Sequence, residues 1–396
     1  MGQRLARTHG GLITEYSLVL SHKEDHMSLT LPSADAFQVA QSELPKLASQ
    51  LSMVNCSDPN GNRYHHQAQI AWHKDRFFCM WIENLWREDL PGQKAGYATS
   101  KDGLCWGAPG ILAPMAERGY EMNTRESSGL WNRGDDLFAL CGQYRQEPGS
   151  TLDYLECKSD IYAWDGTEWQ HSGVQIDDYL GFEPPRLLRT GEYILTGHDQ
   201  QARIVVLFGG QSSLGDWRRV EVPPPEDKHF LLEPNCWEDT DGTIHVVLRD
   251  ENSSHRLYYT ASADGGKTFP APVKTDIPDA RSRISTGVLS DGRLFLCGNS
   301  GLVSDGTGRP VEGIGFAKRI PLTLAVGTVD GTFEKVYSVR ADETIGRWAA
   351  SVPSNGQGAC WGYQYPNVCE HDGFLYIAYS VNKEDIAVAR VALADV

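Results

Sequence analysis

Along most of the chain, short apolar or alternating runs are cut by polar turns, and the runs come in threes: a strand, a turn, a strand, a loop, a third strand. This unit recurs six times. The first copy reads HHQAQIAW (65 to 72), RFFCMWIEN (76 to 84) and AGYATSKDGLCW (95 to 106). The second reads RESSGLW from Arg125, DLFALCGQY from Asp136 and CKSDIYAW from Cys157. The third runs EPPRLLRT from Glu183, EYILTGHDQ from Glu192 and RIVVLFGG from Arg203; the fourth runs EPNCWED from Glu233, TIHVVLRDE from Thr243 and RLYYTASADGGKTF from Arg256. The fifth has RISTGVLSDGRLFLCGN from Arg283 and a delayed strand PLTLAVG from Pro321, and the sixth has YPNVCEHDGFLYIAYS from Tyr365 and IAVARVAL from Ile386.

A unit of this length, repeated and never helical, predicts an all-β, single-domain β-propeller over residues 1–396, with the blades in 61–396. Residues 1–60 carry strand-like LITEYSLVLS and MSLTLPS and a short helix around Ser42 to Leu51. They are expected to close the ring by pairing a terminal strand into the blade at the other end, which removes exposed sheet edges. If they only complete the last blade the ring has six blades, and if they help form another it has seven.

Ser262-Ala263-Asp264-Gly265-Gly266-Lys267-Thr268-Phe269 fits the Asp-box pattern S-x-D-x-G-x-T-F without a mismatch, and Ser100-Lys101-Asp102-Gly103-Leu104-Cys105-Trp106 is a shortened variant. The pattern is a hairpin between third and fourth strands: the Asp side chain caps the turn, Gly supplies positive φ and the aromatic packs between sheets. Such boxes belong at the outer rim and bear on fold rather than chemistry.

The formal net charge of -16 repels nucleic acid and anionic membrane surfaces, so neither is an expected partner. Nine dispersed Cys, with no CxxC and no Cys/His cluster at zinc-ligand spacing, read mostly as small buried hydrophobes, leaving room for one or two disulfides. No metal or cofactor is implied, and a soluble monomer is expected. The start lacks an apolar leader and no stretch reaches the length of a membrane span. The location is left open, with an extracellular place expected if a signal was trimmed and a cytoplasmic one otherwise.

In a propeller the ligand face is built from the loops entering each inner strand and those joining second and third strands. Those loops carry Arg63, His65, His66, Arg125, Asn235, Arg283, Gln364 and Tyr365, and then Trp86, His198, Arg249 and Asn299. Ordinary turns use Gly, Asn, Asp and Ser, so this convergence of Arg, His, Tyr and Asn predicts a cationic pocket in an acidic protein, although any one of these arginines alone reads as a solvated rim charge.

HHQAQIAW with the following AGYATSKDGLCW, and the closing YQYPNVCEHDGFLYIAYSVNKEDIAVARV, resemble sialidase-like (Asp-box, or BNR repeat) proteins from about residue 60 onward. Within that group the chain is most similar to propeller polysaccharide lyases, the L-rhamnose-α-1,4-D-glucuronate lyases acting on gum arabic side chains. That resemblance implies seven blades, with six as the alternative, and β-elimination at a uronic acid in an oligo- or polysaccharide. A lyase must neutralise the uronate carboxylate and remove the C5 proton. His65 or His66 is the expected base and Tyr365 or His198 the acid or partner. Arg283, Arg249 and Asn235 are the expected carboxylate clamps, with Arg125, Arg63, Asn299, Trp86 and Gln364 as further substrate contacts.

The alternatives are a sialidase-like glycoside hydrolase and a glycan-binding propeller without chemistry. Sialidases resemble one another in an arginine triad, a Tyr nucleophile with a Glu partner, an acid Asp and an F/Y-R-I-P segment early in the chain. Here the only R-I-P is Arg319-Ile320-Pro321, late and preceded by Lys318. Arg125, Arg249 and Arg283 are the triad candidates. Glu183, Glu233 and Asp250 are the candidate carboxylates of a hydrolase of another kind. In the binding reading, Trp86 and Tyr365 are stacking platforms.

Overall fold

The computed structural model describes residues 30–115, 123–146, 154–252, 254–300, 318–348 and 361–396. The chain enters through β1 (Gln50–Asn55) and then lays down antiparallel sheets one after another. The first holds β2 (Tyr64–His73), β3 (Arg76–Asn84), β4 (Lys94–Ser100) and β5 (Gly110–Ala113); the second holds β6 (Asn123–Arg133), β7 (Asp136–Gln146), β8 (Tyr154–Trp164) and β9 (Trp169–Asp177). In the third, the inner strand is broken into β10 (Leu180–Gly181) and β11 (Arg186–Leu187), both on β12 (Tyr193–His198), followed by β13 (Ile204–Gly209) and β14 (Trp217–Glu221).

The fourth sheet is β15 (Leu231–Glu238), β16 (Ile244–Asp250), β17 (Arg256–Ser262) and β18 (Val273–Pro278). The fifth takes β19 (Ser285–Val288), β20 (Leu294–Gly298), then β22 (Leu322–Gly327) and β23 (Phe333–Arg340), with the two-residue β21 (Lys318–Arg319) leaving it. The sixth is β24 (Trp361–His371), β25 (Phe374–Val381) and β26 (Asp385–Ala392), with β1 as its outermost strand and β21 parallel to β24.

These are the six blades of a propeller, and the expectation of seven is corrected. Among the described residues the N-terminal part supplies one strand, β1, which pairs Gln50 with Arg390 and Ser52 with Val388 and so finishes the sixth blade rather than adding another. The helix expected around Ser42 to Leu51 is a single 3-10 turn, Gln41–Glu43, because Pro45 follows at once and disfavours a helical conformation before it. The run LITEYSLVLS lies outside the described residues. No helix among those described is long and apolar enough to cross a membrane.

The core lies between blades. One apolar layer joins the first and second (Phe78, Met80, Leu137, Tyr162), one the second and third (Trp131, Leu140, Leu195, Leu207) and one the fifth and sixth (Leu322, Leu324, Leu375, Ile377). The Asp-box turns lock neighbouring blades together. Asp264 accepts the backbone N–H groups of Lys267 and Thr268 and the Thr268 hydroxyl, while Phe269 is buried. Gly266, at φ 72°, lies so close to the Phe208 ring of the third blade that a Cβ there would stand 2.0 Å from it. Two further turns between third and fourth strands are capped by a carboxylate: Asp165 in the second blade accepts the Thr167 and Glu168 N–H groups, and Asp330 in the fifth accepts the Thr332 N–H and the Thr328 hydroxyl.

All eight described cysteines are free; Cys360 lies outside the described residues.

Candidate active site

Four inner strands are interrupted where they approach the axis. The register slips between His66 and Gln69, Ser127 and Gly129, Leu232 and Asn235, and Gln364 and Asn367. At three of these bulges a non-glycine residue takes left-handed backbone: Gln67 at φ 58°, Glu233 at 49° and Tyr365 at 53°. Bulges re-aim side chains, and strain of this kind concentrates at functional sites. Proline fits there because the ladder is already broken, as in Glu233-Pro234-Asn235 and Tyr365-Pro366-Asn367.

Bonds from these bulges cross the ring. Asn367 of the sixth blade donates to Glu183 of the third (3.2 Å), Gln69 of the first donates to the Phe182 carbonyl of the third (3.0 Å), and Gln67 donates to Glu126 (2.8 Å). Asn235 ties the third, fourth and fifth blades by accepting from Arg186 and donating to the Ile284 carbonyl. A layer of amides therefore spans the axis and fixes the positions of the side chains around it.

Tyr365 is the centre of the cluster. Its hydroxyl accepts from Arg249 Nη1 at 2.6 Å and donates to the carboxylate of Glu233, which is itself 2.5 Å from the same guanidinium nitrogen. Three guanidinium carbons stand around its ring, Arg283 at 4.8 Å from the centroid, Arg319 at 5.4 Å and Arg249 at 5.9 Å. The His66 ring packs against it at 4.2 Å.

Charge sets the protonation states. Burial, reinforced by the Glu233 charge against the opposing pull of Arg249 and Arg319, holds the Tyr365 phenol well above its ordinary pKa and therefore neutral. Burial also opposes ionisation of Glu233, but Arg249 and Arg283 outweigh it and hold that carboxyl below its ordinary range. Tyr365 and Glu233 form a neutral acid beside an ionised base.

The arginines differ in how far their own charge is met. Arg249 pairs with Glu233 and Glu251, and Arg319 donates to Gln364 (2.8 Å) and to the Arg281 carbonyl (2.7 Å). Arg283 is fully buried and donates from Nη1 to the Ser127 carbonyl at 3.3 Å. Nε and Nη2 of Arg283, and Nε of both Arg249 and Arg319, have no hydrogen-bond partner among the described residues. The Nε/Nη2 edge of a guanidinium is the fork that a carboxylate fills with two parallel bonds.

A second carboxylate pair borders the cluster on the loop between β3 and β4. Glu88 accepts from Tyr64 (3.0 Å) and from Lys383, and lies 4.0 Å from His66 Nε2. Asp89 accepts from the Tyr144 hydroxyl, and burial together with the adjacent Glu88 charge pushes it up to about 6. Deeper, burial and the Glu233 charge push Glu126 up to about 8.

The sequence candidates separate accordingly. Tyr365, Arg249, Arg283 and His66 meet in the cluster. Gln364 holds Arg319, and Asn299 binds the carbonyls of Arg319, Pro321 and Tyr363, so both act on the position of that arginine. His65 turns the other way, with Nδ1 on the Glu384 carbonyl (2.7 Å) and Nε2 at 3.7 Å from Glu83. His198 packs on Phe182 and bonds the Asp199 carbonyl.

Arg125 points into a cleft between the first and second blades and pairs with Asp160, so it does not join Arg249 and Arg283 in a triad. Asn235 serves the amide layer, Glu183 takes bonds from Asn367 and Arg186, and Asp250 caps its own loop through Asn252 and Ser254. Arg63 and Trp86 stack at the mouth. Arg319, Glu88, Asp89 and Glu126 were not among the candidates. No cluster among the described residues groups three or more His, Cys, Asp or Glu side chains in a way that could hold a metal ion.

A sequence profile of the BNR repeat-like domain matches residues 76–377. No curated protein matches the chain. Among solved structures, the Hadza microbial sialidase Hz136 superposes with a TM-score of 0.65 at 11% identity, over 87% of this chain and 68% of that one. Trypanosoma rangeli sialidase in complex with 2,3-difluorosialic acid, described as a covalent intermediate, gives 0.63 at 14% identity over 89% of this chain and 60% of that one. A protein of unknown function from Dyadobacter fermentans DSM 18053 gives 0.60 at 13% identity, covering 86% of this chain and 99% of the other. The chain thus spans less than two thirds of the Trypanosoma protein. At these identities the likeness is one of fold.

Proposed function

The chain belongs to the BNR repeat-like domain family, and on that premise we propose that it is a glycoside hydrolase acting on a terminal sugar that carries a carboxylate. The observation that carries the reading is the Tyr365 hydroxyl held between Glu233 and Arg249 with Arg283 and Arg319 beside the same ring. It supplies a nucleophile, its base and an anion clamp in one place, the combination that sialidases resemble one another in.

In the proposed reaction the sugar carboxylate lies on the open Nε/Nη2 edge of Arg283, with the unpartnered Nε groups of Arg249 and Arg319 as further donors. Tyr365 oxygen attacks the anomeric carbon and passes its proton to Glu233, while the bond to the leaving oxygen breaks and Asp89 protonates that oxygen. Water then attacks the same carbon, gives its proton to Asp89, and expels Tyr365, which recovers its proton from Glu233. Asp89 fits the acid role because its buried carboxyl stays partly protonated near pH 6.

The third arginine comes from the fifth blade, as Arg283, and the first blade offers Gln67 on the axis instead. That accounts for the missing early F/Y-R-I-P. Uronate β-elimination is the second reading, supported by the same arginine clamp. It is weaker because the base it needs, His66, is fully buried with its ring packed on Tyr365, and burial together with the charges of Lys383, Arg319 and Arg283 holds it well below its ordinary pKa. The test is Tyr365→Phe on a panel of sialylated and glucuronylated oligosaccharides: release of the acidic sugar by the parent and its loss in the variant supports hydrolysis through Tyr365, and unchanged release contradicts it.

A further inference from the structure

Among the described residues Trp86 is the one tryptophan with a strongly exposed ring, 59% accessible, and it stands beside Leu85 at 57%. An exposed indole on a rigid loop is a marker of recognition, because its apolar face gains free energy when covered. The loop is rigid: Trp86 N–H bonds the Asn84 side chain, Asn84 holds the carbonyls of Leu90 and Pro91, and Glu88 and Asp89 are tied to Tyr64, Lys383 and Tyr144.

The ring is not alone. The Arg63 guanidinium carbon lies 4.7 Å from the Trp86 ring and 5.0 Å from the Trp348 ring. Arg63 is fixed by the Pro59 carbonyl, and Trp348 by Ser57 and by Glu384. Ile345, 85% exposed, precedes Trp348 by three residues. The face joins indole, guanidinium and indole in one stack at the mouth of the ring.

Its position relative to the cluster identifies what it meets. Trp86 precedes Asp89 by three residues on the same loop, so their Cα atoms are at most about 11 Å apart. In the proposed reaction Asp89 gives its proton to the leaving oxygen, and the group attached to that oxygen extends over the loop that carries Asp89. We infer that Trp86, Arg63 and Trp348 form a subsite for the leaving-group sugar, so that the natural substrate is an acidic sugar terminating a longer glycan rather than one bound to a small aglycone. This rests on the hydrolase reading above. A pyranose ring presents an apolar C–H face to an indole and hydroxyls to the neighbouring guanidinium, a match to this mixed stack.

The test compares kcat/KM on 3′-sialyllactose and on the methyl α-glycoside of sialic acid, for the parent, Trp86→Ala and Arg63→Met, alongside calorimetric binding of lactose. The parent is expected to favour 3′-sialyllactose roughly three- to ten-fold, the factor such a ring contact is worth, and both variants to close that ratio. Equal rates on the two substrates in the parent, or a ratio that survives Trp86→Ala, overturn the subsite. If neither substrate is cleaved, the hydrolase reading fails on this sugar, and lactose binding still decides the subsite: binding lost in Trp86→Ala upholds it, and no binding by the parent overturns it.

Discussion

Arg249 donates to the hydroxyl of Tyr365 across 2.6 Å and, through the same nitrogen, pairs with Glu233, so one guanidinium orients both the nucleophile and its base. Tyr365→Phe removes the attacking oxygen and leaves the ring packing in place. Turnover is expected to fall by roughly the 10²- to 10⁴-fold that a reacting group contributes, with the melting temperature nearly unchanged. Steady-state kinetics beside calorimetric melting checks both parts.

Asp89 sets the alkaline limb of activity. With its carboxyl pushed up to about 6, the acid form is lost as pH rises through that value, and kcat/KM is expected to fall with it. Asp89→Asn should flatten this limb and should slow glycans with poor leaving groups far more than activated aryl glycosides. The stability sign is the same. Between the unfolded carboxylate pKa of about 4 and about 6 the folded state binds the extra proton, so this group's contribution to stability declines as pH rises through that window. Thermal melts of parent and Asp89→Asn from acid to neutral pH should show the variant gaining relative stability over it.

Arg283 is a fully buried cation with no ion pair within salt-bridge distance among the described residues; Glu126, Glu183 and Glu233 balance it at longer range. A buried charge met only in this way costs stability, and an apolar side chain of similar length removes the cost. Arg283→Met is therefore expected to melt at least as high as the parent while losing most of its affinity for the acidic sugar. A large drop in melting temperature would make Arg283 a structural residue instead.

Asp264 acts on the fold alone. Asp264→Ala removes the acceptor of two backbone N–H groups and two hydroxyls at the rim, and about 1 kcal/mol of stability should go with it while kcat/KM stays as it was. Its carboxyl is held below the ordinary range, against the effect of burial, by bonds from Ser262 and Thr268. Its contribution is present above the unfolded pKa and is lost as pH falls toward the folded one.

The strand triplets and the Asp-box were legible because period-two patterning and turn chemistry are local. So was the closing of the ring by a strand from residues 1–60, but neither that strand's place at Gln50–Asn55, where a helix is expected to end, nor the blade number was. The period left six and seven open, the resemblance to a lyase favoured seven, and only the pairing of β1 with β26 decides for six. The site was harder, since its members come from different blades and meet only through bulges that periodicity does not reveal. Alternation could not distinguish His65 from His66, and the slip after His66 is what places one ring on Tyr365 and the other against Glu83. Arg319 carried a visible signal in Arg319-Ile320-Pro321, yet its place before an outer strand hid that β21 leaves the fifth blade and runs beside β24. Glu88 and Asp89 were not among the candidates, because what sets them apart is Tyr64, Tyr144 and Lys383 closing around them in the fold.

The central claim is hydrolysis through Tyr365 at a carboxylate-bearing sugar. Incubating the protein with sialylated and glucuronylated oligosaccharides, gum arabic included, while following released acidic sugar and ultraviolet absorbance together, tests it most directly. Release of a saturated acidic sugar with no rise in absorbance is the predicted result. A rise from a conjugated C4=C5 uronate would establish β-elimination and contradict it.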